Sequence, residues 1–181
     1  MRLFIGIELS QAARREVERI MSIMSDTAPG RYVRGDMLHI TLAFPGETSE
    51  SELDRVRSAM EDAALGISPF DLKLSAPGYF GKADKAILYC GTAPSEELEN
   101  AAGAVREQLR LRDIAFDPKP FRAHITMARH VRTNPKTLRL PVKPVAFAAS
   151  GLTLFHSHRV NGVLTYTPVY RVGFSRERSL D

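Results

Sequence analysis

Two short segments contain the residue types that acid–base chemistry needs: His39-Ile40-Thr41 and His124-Ile125-Thr126. The chain has five histidines, so two that precede an identical Ile-Thr pair indicate an internal duplication. An imidazole has an ordinary pKa near ~6.5, which suits proton donation and proton acceptance at neutral pH. A threonine hydroxyl can donate a hydrogen bond to a phosphoryl oxygen on which charge develops. The pair of segments therefore favours phosphodiester cleavage that needs neither a metal ion nor a cofactor.

Both segments lie in apolar stretches, 38–44 and 121–128, that are typical of β-strands. In a strand, residues two apart share a face, so each strand presents one imidazole and one hydroxyl together. The residues between and after them point the other way and predict the core side of each strand (Ile40, Leu42, Ile125 and Met127). Two such strands related by a pseudo-twofold axis place all four polar groups around one cleft.

The remaining pattern mixes strands with helices. Ser10 is a candidate N-cap for a helix whose apolar residues recur at helical spacing, Ser49 and Glu52 form a capping-box pattern, and Ser95 precedes a third helix. Alternating apolar stretches predict strands at 3–9, 70–79, 85–91, 145–155 and 163–174. Strands follow strands as well as helices, which favours an α+β fold over a doubly wound parallel sheet.

Composition limits the possible functions of the chain but does not identify one of them. The 181 residues are 44% hydrophobic and 25% charged, as in globular proteins, and the net charge of +4 suits an anionic ligand. Cys90 is the single cysteine, so an internal disulfide and a multi-cysteine zinc site are excluded; its apolar neighbours predict a buried, inert thiol. The apolar N-terminal run is interrupted by Glu8 and is too short for a signal peptide or membrane span, so we expect a cytoplasmic protein.

Three segments carry a family resemblance: 1–9, 38–46 and 120–129. In them the chain resembles the 2H phosphoesterase superfamily, and within it the RNA 2′,3′-cyclic phosphodiesterases of the 2′-5′ RNA ligase family. The resemblance implies a bilobal, LigT-like α+β fold with two antiparallel sheets and flanking helices around a central cleft. It also implies that residues 1–181 form a single domain made of two lobes related by pseudo-twofold duplication.

The same resemblance implies roles for the duplicated residues. His39 takes the place of the proton donor, His124 that of the proton acceptor, and Thr41 and Thr126 those of phosphate-binding residues. The implied reaction converts a terminal RNA 2′,3′-cyclic phosphate to a 2′-phosphomonoester, with weak 2′-5′ ligation in reverse. The expected partner is RNA with such an end, tRNA fragments included, and the expected state is a monomer. The chain departs from the family pattern at Ala123, where proline is common, and at Pro45, where an aliphatic residue is common.

Further candidates flank the two motifs. Strict alternation places Arg122 on the face of His124 and Thr126 but Arg129 on the opposite face, although Arg129 lies at the strand end, from where it can reach the cleft rim. A guanidinium at either position can hold a phosphate or remain a solvated charge. Phe44 can stack on a nucleobase, but its alternation with Ile40 favours the core.

Other interpretations of the sequence lead to different functions. His130, His156 and His158 invite a metal hypothesis, but they lack acidic or cysteine partners at ligand spacing, so surface histidines near an anionic substrate are expected. The chain lacks a Walker-type loop, so ATP-dependent ligation finds no support. Two alternatives stay open: a phosphodiesterase acting on 2′-5′ oligoadenylate or a small nucleotide cyclic phosphate, and an RNA-binding module without turnover.

Overall fold

The computed structural model describes residues 1–134 and 138–175, and these form an α+β fold, as the sequence predicts. Within these residues there are nine strands, three α-helices and a 3₁₀ turn at Gly35–Met37. The elements are β1 (Arg2–Glu8), α1 (Gln11–Ser25), β2 (Arg31–Tyr32), β3 (His39–Glu47), α2 (Glu50–Ala64), β4 (Phe70–Phe80), β5 (Ala86–Thr92), α3 (Glu96–Arg110), β6 (Ile125–Val131), β7 (Ala146–Ala149), β8 (Gly151–Val160) and β9 (Val163–Gly173).

The strands form a continuous antiparallel sheet in the order β7-β4-β5-β6-β3-β1-β8-β9, with β2 paired to β6. We call β3-β1-β8-β9 the first half-sheet and β6-β5-β4-β7 the second half-sheet. They join where β3 pairs with β6, through Ile40 opposite Ile125. The two antiparallel sheets expected from the sequence are therefore two halves of one sheet, and the His-x-Thr strands are the two that meet at its centre.

The helices repeat the duplication seen in the motifs. Ser10 and Ser95 cap α1 and α3 by accepting a hydrogen bond from the backbone N–H three residues on, at 3.2 and 3.1 Å. Both helices have 15 residues, and Ser10 and Ser95 are 85 positions apart, as are His39 and His124. A shared offset over a helix and a strand confirms the pseudo-twofold relation that the sequence predicts.

The core lies between the sheet and the helices, so the opposite face of the sheet is free to form a site. Helix α1 packs against β7, α2 against β8 and β9, and α3 against β3. The motif residues predicted to face the core are fully buried (Ile40, Leu42, Ile125 and Met127). Cys90 is also buried, and this burial raises the pKa of its thiol to about 12, which agrees with an inert side chain. None of the helices among the described residues has the length and apolar character of a bilayer span.

Several element boundaries differ from the sequence prediction. Strand β3 continues past Pro45 to Glu47, because Pro45 lies where the pairing with β1 shifts register, a position in a sheet that tolerates proline. The predicted strand at 145–155 is two strands, β7 and β8, separated at Ser150. The sequence does not predict strand β2, since two residues are too few for a pattern. Part of the predicted surface excursion at 134–144, namely 135–137, lies outside the described residues.

Candidate active site

Each motif histidine is held by the same backbone contact. His39 is the first residue of β3, and its Nδ1 lies 2.7 Å from the carbonyl oxygen of Met37. His124 directly precedes β6, and its Nδ1 lies 2.6 Å from the carbonyl oxygen of Arg122. A carbonyl oxygen only accepts, so Nδ1 of each ring carries a hydrogen and donates it. Nε2 is therefore the nitrogen available for proton exchange on both histidines.

The first histidine is enclosed by aromatic rings. The ring of His39 lies 4.7 Å from that of Phe4, 5.6 Å from that of Phe155 and 5.4 Å from that of Tyr166, measured between centroids. Its Nε2 is 2.8 Å from Oγ1 of Thr41. With the hydrogen on Nδ1, a neutral His39 accepts this bond from the threonine hydroxyl.

Burial lowers the pKa of both imidazoles. Loss of hydration is the main cause of the fall of the His39 pKa to about 4, and the positive charges of His124 and Arg129 add to it, against the opposing contact with Met37. Loss of hydration also lowers the pKa of His124, with Arg129 and Arg122 adding to it. Arg129 thus lowers the pKa of both imidazoles.

The second histidine has a different aromatic setting. The ring of His124 meets that of Phe80 edge-on, with centroids 4.9 Å apart and planes at 90°, and lies 5.9 Å from that of Tyr89. The guanidinium of Arg122 stacks over the same phenylalanine, 4.5 Å from the centroid of Phe80. Phe80 comes from the end of β4, so the β4–β5 hairpin forms this wall of the site.

A cleft of about 680 Å³ opens beside the two motif strands. Three of its lining residues belong to the motifs, namely Thr41, His124 and Thr126. Most of the others are aromatic or cationic, and they include Phe44, Phe80, Arg106, Lys119, Phe121, Arg122 and Arg129. A cleft with aromatic walls and several guanidinium groups fits a phosphate ester that carries a flat ring.

Matched β-bulges shape both motif strands. On β3, Gly6 is opposite Thr41 and the preceding residue of β1, Ile5, is opposite Ala43, so β3 has one extra residue here. On β6, Tyr89 is opposite Thr126 and Leu88 is opposite Ala128, which is the same shift. An extra residue reverses the alternation of faces beyond it. The fifth residue after each histidine is thereby turned toward the cleft.

These bulges overturn the core position predicted for Phe44 and explain how Arg129, predicted to reach the cleft rim from the strand end, lines the cleft. Alternation assigns Arg129 to the opposite face and Phe44 to the core, but both line the cleft together with Thr41 and Thr126. The alternation rule fails because an extra residue lies between the threonine and the end of each strand. Arg122 lies on the cleft side, as predicted.

The loop before β6 adds residues that the sequence does not single out. Arg106, on α3, donates to the carbonyl oxygen of Leu42 at 3.0 Å and to that of Lys119 at 2.7 Å. The backbone N–H of Asp117 donates to the carbonyl oxygen of Phe44 at 2.9 Å. These bonds fix the loop over the end of β3. No local motif marks Arg106, since its role depends on contacts between distant parts of the chain.

The other histidines lie apart from this site. His156 pairs with the core residue Leu3 while its neighbour Phe155 pairs with Phe4, so His156 faces away from the cleft. Its ring stacks on that of His158 at 4.4 Å, and Nε2 of His158 bonds with a threonine of β9. His130 is exposed with a left-handed φ of 52°. In the part of the chain that the structure describes, no three His, Cys, Asp or Glu side chains form a group that could hold a metal ion.

The fold and the paired motifs are those of the two-histidine phosphoesterases. The chain belongs to the 2′-5′ RNA ligase superfamily, whose sequence profile matches residues 9–161. It is 30% identical to an RNA 2′,3′-cyclic phosphodiesterase of Archaeoglobus fulgidus, over 75% of this chain and 76% of that protein. The crystal structure of Escherichia coli LigT complexed with 3′-AMP superposes with a TM-score of 0.77 at 26% identity, covering 96% of this chain and 97% of that one. A crystal structure from Thermus thermophilus reaches a TM-score of 0.83 at 24% identity, covering 98% and 100%, which shows the shared fold.

Proposed function

We propose that this protein hydrolyses a 2′,3′-cyclic phosphate at the end of an RNA to a 2′-phosphomonoester, with two histidines as acid and base. The observation that supports this most is the matched pair of His-x-Thr units on the two adjacent central strands, where Thr41, His124, Thr126 and Arg129 line one cleft. Relatives of the chain named RNA 2′,3′-cyclic phosphodiesterase add support, among them the Archaeoglobus fulgidus protein.

In the proposed step, a water oxygen attacks phosphorus as the bond from phosphorus to the 3′-oxygen breaks. His124 takes a proton from the water through Nε2, and His39 gives a proton to the departing 3′-oxygen. The family resemblance supports this division of roles. Arg129 and the two threonine hydroxyls stabilise the charge on the non-bridging oxygens. The protein's own groups thus supply both proton transfers and the positive charge, so the reaction is proposed to proceed without a metal ion.

The Thr41 hydroxyl links the protonation of His39 to phosphate binding. A neutral His39 accepts the hydrogen of this hydroxyl at 2.8 Å. When Nε2 is protonated it becomes the donor, and the hydroxyl hydrogen is released to a phosphoryl oxygen. A bound anion also raises the pKa of both imidazoles by opposing the effects of Arg129 and burial. Substrate binding therefore favours the protonated acid that the reaction requires.

A 2′-5′ ligation follows from the same groups with a different nucleophile. If a 5′-hydroxyl takes the place of water, His124 removes its proton and the product is a 2′-5′ linkage. Water competes at a far higher concentration, so we expect ligation to be weak.

The deciding experiment incubates a short RNA ending in a 2′,3′-cyclic phosphate with the protein in excess EDTA. We expect a 2′-phosphate product, identified by chromatography against 2′- and 3′-phosphate standards. Loss of turnover with rescue by a divalent ion would contradict metal independence. Tight binding without turnover would instead identify an RNA-binding module. Parallel reactions with 2′-5′ oligoadenylate and with ADP-ribose cyclic phosphate test the two alternative substrate classes.

A further inference from the structure

Two arginines lie side by side at one end of the cleft. Strand β2 pairs with β6, and in this pairing Arg31 is directly opposite Arg129. Directly opposed residues on antiparallel strands project from the same face, so the Arg31 side chain leaves the sheet on the same face as Arg129, which lines the cleft. Within residues 1–134 and 138–175, no salt bridge involves either arginine. Like charges in this arrangement repel each other unless an anion lies between them.

The backbone around Arg31 is fixed by close packing. A Cβ atom on Gly30 would lie only 2.5 Å from Cγ2 of Val131, so glycine is what allows this segment to approach β6. On the other side of Arg31, the N–H of Val33 donates to the carbonyl oxygen of Met127 at 2.9 Å. The backbone pairing that sets Arg31 opposite Arg129 is therefore fixed by the fold.

The duplicated fold does not require this pair of charges. The position equivalent to Arg129 on β3 is Phe44, the fifth residue after His39. There the carbonyl oxygen of Phe44 accepts a hydrogen bond from the backbone N–H of Asp117. The carboxylate of Asp117 forms an ion pair with Lys119. At this end of the cleft the Arg2 guanidinium lies over the Phe44 ring, Arg106 donates to backbone carbonyl oxygens, and Lys119 is paired with Asp117. The other end has two guanidinium groups without a carboxylate partner among the described residues.

We propose that Arg31 binds a second phosphate of the RNA, the internucleotide phosphate next to the reacting one. Arg129 lines the cleft with Thr41, His124 and Thr126 and can serve the reacting phosphate, and Arg31 on the neighbouring strand adds positive charge beside it. A mononucleoside cyclic phosphate has no group for Arg31 to bind. The preferred substrate class is therefore an oligoribonucleotide ending in a cyclic phosphate. This inference rests on the proposed function.

The test compares an oligoribonucleotide and a mononucleoside 2′,3′-cyclic phosphate with the same terminal base. For Arg31→Gln we expect KM on the oligonucleotide to rise about tenfold, the scale of one charge-assisted hydrogen bond, with kcat unchanged. Turnover of the mononucleoside should be unchanged. The slope of log KM against log salt concentration on the oligonucleotide should also fall by about one, because one phosphate contact is lost. Arg55→Gln, on the exposed surface of α2, removes the same charge far from the cleft and serves as the matched control.

The possible outcomes separate the second phosphate site from the proposed function. An equal effect of Arg31→Gln on both substrates, or no effect on either, would overturn the second phosphate site. If the wild-type protein turns over neither substrate, the proposed function fails, and binding then decides the inference separately. In that case the affinity for a 2′-phosphate-ended oligonucleotide is measured by fluorescence anisotropy. The site stands if Arg31→Gln weakens this binding and Arg55→Gln does not, and it falls if the two variants bind alike.

Discussion

The two halves of the site have the same backbone arrangement but different surroundings. In both, Nδ1 of the histidine donates to the carbonyl oxygen two residues earlier and the strand has a bulge after the threonine. His39 is enclosed by rings from β1, β8 and β9, whereas His124 meets Phe80 on one side and lines the open cleft. The duplication thus preserves the placement of Nε2, and the flanking strands set how hydrated each imidazole is.

The difference shows how one motif can serve two roles. Acid and base need different protonation states in the same complex, and identical environments would give them nearly the same pKa. Burial lowers the pKa of both imidazoles, at His39 to about 4. This lowered pKa disfavours the protonated His39 that the proposed roles require. We infer that the bound phosphate, through Thr41, moves the preferred proton position to His39.

The largest expected effect comes from removing either imidazole. His39→Ala and His124→Ala should each lower kcat on a cyclic-phosphate RNA by about 10²- to 10⁴-fold, the usual contribution of a general acid or base. A p-nitrophenyl phosphodiester has a leaving group that needs no acid. On it, His39→Ala should recover a large share of wild-type kcat, while His124→Ala stays impaired because water still needs a base. Recovery by His124→Ala instead, with a 3′-phosphate product from RNA, would interchange the two roles.

A smaller effect is expected from the hydroxyls. Thr41→Val and Thr126→Val keep the side-chain shape and remove a donor to the phosphoryl oxygens, for an expected loss of about 10²-fold in kcat. Thr41→Val should in addition alter the pH profile, because Thr41 bonds to Nε2 of His39. Stopped-flow rates over a pH series measure both effects. Near-full kcat in both variants would mean that these hydroxyls do not contact the phosphate.

The smallest effect concerns the pH dependence of kcat/KM, which reports the free protein. The pKa values of both histidines are lowered from 6.5. The bell-shaped pH profile should therefore have its alkaline limb below pH 6.5 and its acid limb near pH 4, and both limbs describe the coupled pair of histidines. Tyr166→Ala hydrates His39, raises its pKa and should move the acid limb upward. Phe80→Ala, the matched change beside His124, should move the alkaline limb upward. Identical shifts in both variants would show that the two environments are not independent.

Local signals in the sequence are enough to predict much of the fold. Serines before apolar helical faces predict α1 and α3, because an N-cap and a helical face are both encoded within a few residues. His39, Thr41, His124 and Thr126 can be found because a repeated triplet is visible without any structure.

What the sequence does not reveal depends on pairing between strands. The cleft positions of Phe44 and Arg129 follow from bulges, and a bulge is a relation between two strands that no alternation within one strand encodes. Phe80 and Tyr166 escape prediction for a related reason. They come from β4 and β9, and only the sheet order brings them against the histidines.

The strand order also has a consequence for how the chain acquires its structure. The second half-sheet is built from one continuous part of the chain, β4 to β7, whereas the first requires β1 and β3 from the N-terminal part and β8 and β9 from the C-terminal part. As a ribosome releases the chain from its N-terminus, β8 and β9 are the last strands to emerge. We therefore expect the aromatic setting of His124 to form early and that of His39 to be completed last, when Phe155 and Tyr166 arrive. Limited proteolysis of ribosome-bound nascent chains of increasing length would then show protection of β5 before β8.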